Sequence, residues 1–186
     1  MNRPRGRPAQ GKGVTRDDIL DAALTLLDEG GGQGLTMRAL AARLGVTPMS
    51  LYHHVEDLAG LLRALSDRVY AKVLQGVGRP ADHRAEIQRI LTRYHDAVGS
   101  HPQLTLAIFA EPLAFAGVSR DVTDRLTTLL GEITAEPLPW RDILIDHAHG
   151  SGLALASAAG NQRQARLMKK QYREALARLL DHLAAC

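Results

Sequence analysis

Within Thr36–Val55, TMRALAARLGVTPMSLYHHV, polar and apolar side chains separate in a way that suits a nucleic-acid groove. Thr36 and Thr47 each stand just before a helical pattern, where a threonine hydroxyl takes up a free amide of the first turn. Pro48 follows at a first helical position, where its missing N–H costs nothing. Leu40 and Leu44 share one face, Ala41 is small enough for a second helix to cross closely, and Gly45 permits a sharp turn. Leu51 and Val55 then turn one side of the second helix inward, leaving the outward side polar. Alanine, glycine four residues later, an apolar residue immediately after it and another five beyond make the spacing of a helix-turn-helix.

Other residue types invite other chemistry and mostly fail on geometry. His147-Ala-His149 looks like a metal pair, but residues two apart on a helix point about 200° from each other and cannot share one ion. Asp142, Asp146 and His149 share a face that reads as a solvated side. Nothing pairs a nucleophile with a base at a recognisable spacing, so no catalytic residue, metal or cofactor is expected and the chain does not read as an enzyme. Tyr94, His95, Phe109, Phe115, Trp140 and His147 lie on or beside apolar stripes between Ile87 and Gly152. Taken singly each suits a core; together they are candidates for a pocket that binds a small, mostly hydrophobic or aromatic molecule.

The elements that must position these residues are helical throughout. Residues 2–13, NRPRGRPAQGKG, lack any large apolar anchor, and their composition predicts a disordered arm. Its Pro-Arg-Gly-Arg-Pro core resembles an AT-hook, whose arginines lie in a narrow minor groove, so Arg3, Arg5, Arg7 and Lys12 are candidate DNA contacts. Thr15 and Asp18 form a variant capping box for a helix running to about Glu29, which Gly30-Gly31-Gly32 is expected to stop. From Asp57 a longer helix carries Leu58, Leu61, Leu62, Leu65, Val69 and Val73 on one stripe. Asp82 opens another, interrupted at Gly99 and Pro102. Pro102 and Pro112 bracket a short helical piece, residues 119–133 form a further helix, and Pro137-Leu-Pro139 is expected to break the chain again. The last two helices, about 140–159 and 163–184, differ in surface. Gly150, Ala154 and Ala158 fall on one row and Gly152, Ala156 and Gly160 on another, while Leu176, Leu179, Leu180 and Leu183 supply bulk. A pair from each of two subunits would form a four-helix interface; close packing within one chain is the alternative.

Bulk properties narrow the classes. Of a formal net charge of +3, five positive charges fall in residues 1–16 before any acid, so the remainder carries −2 and a broadly cationic surface is excluded. Cys186 is the one cysteine, which rules out a disulfide within the chain and fits a reducing cytoplasm. No apolar run approaches the roughly 18–20 residues that span a bilayer, so no membrane partner is expected.

Leu35-Thr36, Ala41-Ala42-Arg43-Leu44-Gly45-Val46 and Ser50-Leu51-Tyr52-His53-His54-Val55 resemble the tetracycline-repressor (TetR) family, with the motif match confined to residues 15–65. That resemblance implies an all-α fold: an N-terminal three-helix helix-turn-helix domain plus a larger C-terminal helical domain for ligand binding and dimerisation. The expected division is a basic arm at 1–14, the DNA-binding domain at 15–58 and the effector-binding and dimerisation domain at 59–186. It further implies a homodimer on a palindromic double-stranded operator, released by a small-molecule effector. Carried over by position, Arg38 reaches a base edge or phosphate, as Thr36 can from the helix start. Thr47, Ser50 and His53 hydrogen-bond bases or phosphates, Pro48 and Met49 touch a thymine methyl, and Tyr52 and His54 hold the backbone. Thr47 also suits a cap alone, and Tyr52 a core position. Leu58 departs from the pattern, since many members carry there a lysine that meets a phosphate, and the basic arm is expected to compensate. The alternative function is a ligand-independent architectural DNA-binding protein.

Overall fold

A computed structural model describes residues 13–76 and 82–183, and the arm residues Arg3, Arg5, Arg7 and Lys12 lie outside the described residues. The Thr15 hydroxyl accepts from Asp18 N at 3.2 Å and the Asp18 carboxylate accepts from Thr15 N at 2.9 Å, which closes the capping box of α1 (Arg16–Gly34). The glycine run breaks this helix instead of ending it. Gly31, at φ 62° and ψ −168°, interrupts the helix, and a further turn follows. Next come α2 (Met37–Leu44) and α3 (Pro48–Tyr52). The latter is shorter than its apolar pattern suggests, although Val55 N still donates to Leu51 O at 3.0 Å.

Asp57 caps α4 (Leu58–Tyr70) by accepting from Gly60 N at 2.6 Å. Beyond it lie α5 (His83–Ser100), α6 (Pro102–Ala110), a 3-10 turn at Pro112–Ala114, and α7 (Val118–Gly131). The chain closes with α8 (Pro137–Ala154), a second 3-10 turn at Leu155–Ala158, and α9 (Gln162–Leu183). The expected break at Pro137-Leu-Pro139 is corrected. Both prolines sit in the first turn of α8, where backbone amides have no intrahelical partner to lose.

Helix α5 packs along α8, α7 lies against both, and α9 covers their other side. At the N-terminal end α1 packs on α2 and α6, while α4 touches α1, α6 and α7. The core is continuous: Ile19, Leu40 and Leu51 join Ile87, Leu126, Leu144 and Leu176 in one cluster, with Leu61, Leu62 and Leu65 of α4 between them.

The two small-residue rows do different jobs. Gly152 faces α5, where an added Cβ would stand 2.7 Å from Val98 Cγ1 and 3.1 Å from the His95 carbonyl oxygen. Across the same contact, a Cβ on Gly99 would collide with Leu155. Gly150 and Ala154 are exposed, and the switch to a 3-10 turn at Leu155 ends both rows as regular helical stripes. Gly152→Ala is therefore expected to destabilise the fold by about 1–3 kcal/mol through overpacking. Gly30→Ala, with open space around its Cβ, is expected to stabilise by roughly 0.5–1 kcal/mol. Urea denaturation of the two variants checks this through midpoints that move in opposite directions.

Candidate nucleic-acid interface and ligand cavity

The helix-turn-helix is built from two threonine caps and one left-handed glycine. Thr36 Oγ1 accepts from Ala39 N at 3.0 Å. Gly45, at φ 66° and ψ 28°, donates its N–H to the Ala41 and Ala42 carbonyls and turns the chain. Thr47 Oγ1 accepts from Ser50 N at 3.3 Å and lies 3.0 Å from Ser50 Oγ, so both hydroxyls serve the start of α3. Ala41, Leu51 and Val55 are buried beneath, as their spacing requires. Above them Met49 is 70% exposed and Tyr52 46%, and Pro48, Ser50, His53 and His54 are exposed as well. The core alternative for Tyr52 therefore does not hold.

The two arginines of α2 part company. Arg43 makes a bidentate pair with Glu29, both nitrogens at 2.8 Å, which fastens α2 to the end of α1. Arg38 is exposed and makes no hydrogen bond or ion pair among the described residues. The acids at the end of the motif are likewise engaged: Asp57 caps α4, and Glu56 pairs with Arg63 at 3.3 Å. Leu58 is half-buried and turned toward Leu35, Leu62 and Leu106, lining a groove of about 370 Å³ between α4 and α6.

The six candidate pocket residues fall in three places. Tyr94, Phe109 and Phe115 converge on His149: Tyr94 Oη lies 2.6 Å from His149 Nε2, and the Phe109 ring stands edge-on to the imidazole at 4.8 Å. These residues border a cavity of about 380 Å³ and a well of about 30 Å³ behind it, with Tyr94, Phe115, Ser119 and His149 lining both. His95 and His147 instead flank Tyr172 of α9, stacked at 3.8 and 5.1 Å. Trp140 sits near His182. The two histidines of His147-Ala-His149 thus diverge as helical geometry demands, one toward α9 and the other toward α5.

His149 is a cavity residue that the sequence reading set on the solvated side with Asp142 and Asp146. Its neighbours decide the matter, because Ile145 one turn earlier and Ala148 beside it are both turned at least partly inward. Also absent from the candidates were Tyr70, Thr105 and Ser119, the hydroxyls at the base. Tyr70 Oη lies 2.9 Å from Thr105 Oγ1, and Ser66 Oγ 2.6 Å from Ser119 Oγ, both pairs buried. Burial pushes the Tyr94 phenol upward and holds the His149 imidazole below its usual value, partly offset by Asp146, so the base of the cavity carries no charge near neutrality. Among the described residues no group of three or more potential metal ligands occurs, and no helix is long and apolar enough to cross a membrane.

This arrangement defines an all-helical protein with an N-terminal helix-turn-helix and a larger C-terminal helical domain. Residues 19–65 match the model of "Bacterial regulatory proteins, tetR family". An uncharacterized HTH-type transcriptional regulator of Mycobacterium tuberculosis is 35% identical over 120 residues, covering 58% of this chain and 55% of that protein. The class D tetracycline repressor of Escherichia coli is 35% identical over 97 residues, 47% of this chain and 44% of the repressor. The chain thus spans about half the length of these curated relatives. The crystal structure of Mycobacterium smegmatis BioQ superposes with a TM-score of 0.75 at 27% identity, covering 92% of this chain and 98% of that one. BioQ with its double-stranded DNA operator gives 0.69 at 27% identity, over 93% and 99%. Residues 19–65 thus carry the N-terminal module of the tetR family of bacterial regulatory proteins, on a chain similar in fold to BioQ over more than nine-tenths of its length.

The two depressed histidines, His149 and His147, set a pH dependence. Both are held low first by burial, so the folded chain keeps them neutral while the unfolded chain takes up protons near pH 6.5. Their contribution to stability is complete above that value and is lost as pH falls below it, toward their folded pKa values. The thermal midpoint is expected to drop between pH 7.5 and 5.5, and a smaller drop in the double variant His147→Gln/His149→Gln checks the assignment. Asp18 and Asp96, whose carboxyls hydrogen bonds hold low, lose their share only below about pH 4.

Proposed function

We propose that the protein is a transcriptional repressor that binds a palindromic operator as a homodimer and is released by a small-molecule effector. The observation that carries this reading is a helix-turn-helix whose outward face keeps Arg38, Tyr52, His53 and His54 exposed, while the acids and second arginine around it are tied up internally. Such a face has an unpaired cation and a row of short polar tips to offer a groove. BioQ, similar in fold across nearly the whole chain, has been crystallised with its double-stranded DNA operator.

In this reading α3 enters the major groove with Met49 and Pro48 against thymine methyls and Ser50 and His53 at base edges. Tyr52, His54 and the Thr36 helix start hold the phosphates, and Arg38 reads guanine or a phosphate. Leu58 contributes packing against α6 in place of a phosphate contact, and Arg3, Arg5, Arg7 and Lys12 provide the missing electrostatic hold. The division at residues 14/15 and 58/59 then separates arm, reader and effector domain. Dimerisation uses α8 and α9, where Ile143 and Leu167 are about half exposed beside Gly150 and Ala154. Two such readers must lie about 34–36 Å apart, or a multiple of it, to meet one DNA face. The protein works in the cytoplasm and takes no cofactor.

The route from effector to reader is α4. Its inward polar groups, Ser66, Asp67 and Tyr70, all bond to α6 or α7, with Asp67 accepting from Val118 N at 2.9 Å. A ligand that shifts those walls moves the helix on which the reader is mounted, and it releases DNA only if it binds the shifted form better.

Footprinting on the protein's own upstream DNA tests the reading. Arg38→Ala is expected to weaken specific binding by roughly 5- to 100-fold, about 1–3 kcal/mol, at unchanged thermal stability. Removal of residues 1–12 is expected to flatten the salt dependence, reducing the slope of log K against log salt by roughly 7 if all eight basic side chains of the two arms meet phosphates. An unchanged slope would refute the arm's role, and wild-type affinity in Arg38→Ala would refute that of the reader.

A further inference from the structure

We infer that the effector cavity selects uncharged aromatic alcohols: a planar ring system fills the outer chamber, and a hydroxyl enters the inner well to donate a hydrogen bond to the Tyr70–Thr105 pair. This deepens the effector reading above and rests on it for its regulatory meaning, but binding itself is tested without DNA.

Shape gives the first argument. The outer chamber, at about 380 Å³, lies in the range of small-molecule sites, while the well behind it, at about 30 Å³, has room for a small substituent such as a hydroxyl but not for a ring. The two meet at Tyr94, Phe115, Ser119 and His149, so a ligand too large for the well can still project a single small substituent into it. Three of these four residues carry flat rings, which favour a planar partner.

Hydrogen-bond accounting gives the second. A hydroxyl has one proton and two lone pairs. Tyr70 Oη and Thr105 Oγ1 are 2.9 Å apart, and the Thr105 hydroxyl also faces the His101 carbonyl at 3.5 Å, which can only accept; with the Thr105 proton on that carbonyl, it is Tyr70 that donates to Thr105. In that arrangement one proton is used within the pair and the other on the carbonyl, and the spare capacity left facing the well is acceptor capacity. A substituent that donates is satisfied there. One that only accepts is left unpaired, which costs about 1–3 kcal/mol when buried.

Charge gives the third. The groups at the base are neutral hydroxyls and an imidazole, so a carboxylate pushed there would be desolvated without a partner. At the mouth Arg141 pairs with Asp142, and Arg120 and Asp124 add one charge of each sign, so the lining carries no net formal charge. Tyr70 stands on α4 and Ser119 bonds to Ser66 of the same helix, so a hydroxyl in the well touches the groups that hold α4 in place.

Calorimetric titration of the full-length protein with 2-naphthol, naphthalene, 2-methoxynaphthalene and 2-naphthoate tests the inference. The expected order is 2-naphthol tightest, by about tenfold or more over naphthalene, with the ether and the carboxylate weaker still. Tyr70→Phe, which keeps the ring and removes the acceptor, should bring 2-naphthol to within about threefold of naphthalene, and Thr105→Val should do the same, each with naphthalene affinity unchanged. Equal binding of 2-naphthol and naphthalene, a naphthol advantage that survives both variants, or no binding of any probe would overturn the inference. If 2-naphthol binds with the expected selectivity yet leaves the operator complex intact, the well stands and the effector-release reading falls.

Discussion

A buried polar group without a partner costs on the order of 1–3 kcal/mol, and α4 turns two buried hydroxyls and a partly buried carboxylate into the protein. Ser66, Asp67 and Tyr70 meet Ser119, the Val118 amide and Thr105 respectively, so the helix is correct only when α6 and α7 are placed to answer it. Gly117 makes one of these contacts feasible: at φ 57° it ends the approach to α7 in a conformation that favours glycine, and a Cβ there would collide with the Asp67 carboxylate. The turn beyond that same end of α4 is equally constrained. Arg89 and Arg93 of α5 donate to the Gln75 carbonyl at 2.9 and 2.6 Å, closing the turn that follows the helix.

Charge is distributed by the same logic. The acids at the base of the reading helix would oppose a phosphate if free, but Asp57 accepts from the Gly60 amide at the start of α4 and Glu56 leans on Arg63, which also donates to the Leu113 carbonyl. Arg43 is drawn away by Glu29 and Arg68 pairs with Asp21, both on α1. Among the described residues, the cation left unengaged on this face is Arg38. Local pairing thus removes most of the charge that could bind nonspecifically and leaves one guanidinium in position.

The motif itself was legible because each of its steps has its own steric or hydrogen-bonding signature within a few residues: Thr36 and Thr47 as caps, Gly45 at positive φ, Leu51 and Val55 inward. Helix order in the larger domain was legible for the same reason, from Asp82 and the prolines. The cavity was half legible. Tyr94, Phe109 and Phe115 stood out as rings beside apolar stripes, but Thr105 and Ser119 are ordinary helix residues whose meaning comes from Tyr70 and Ser66, 35 and 53 positions away. His149 was missed because a helical wheel cannot say which neighbour covers a boundary position. The same limit applies to the paired glycine rows, where only the α5–α8 crossing separates Gly152 from Gly150.

That crossing also determines which element is free to respond. Gly99 and Gly152 let α5 and α8 approach until a single methyl would clash, and close-packed contacts of this kind have no second arrangement nearby. Hydrogen-bonded hydroxyls differ, since a hydroxyl can rotate to a new partner with little loss if one is offered in the same place. The α5–α8 pair therefore acts as a fixed wall of the cavity, and α4, held at its cavity end by exchangeable hydroxyl pairs, is the wall that can yield. A ligand felt at Tyr70 is felt by the helix whose first turn follows directly on Val55, the last inward residue of the reader. Under the proposed effector reading, sensing and DNA reading would be linked by the thirteen residues of one helix, with no longer relay required.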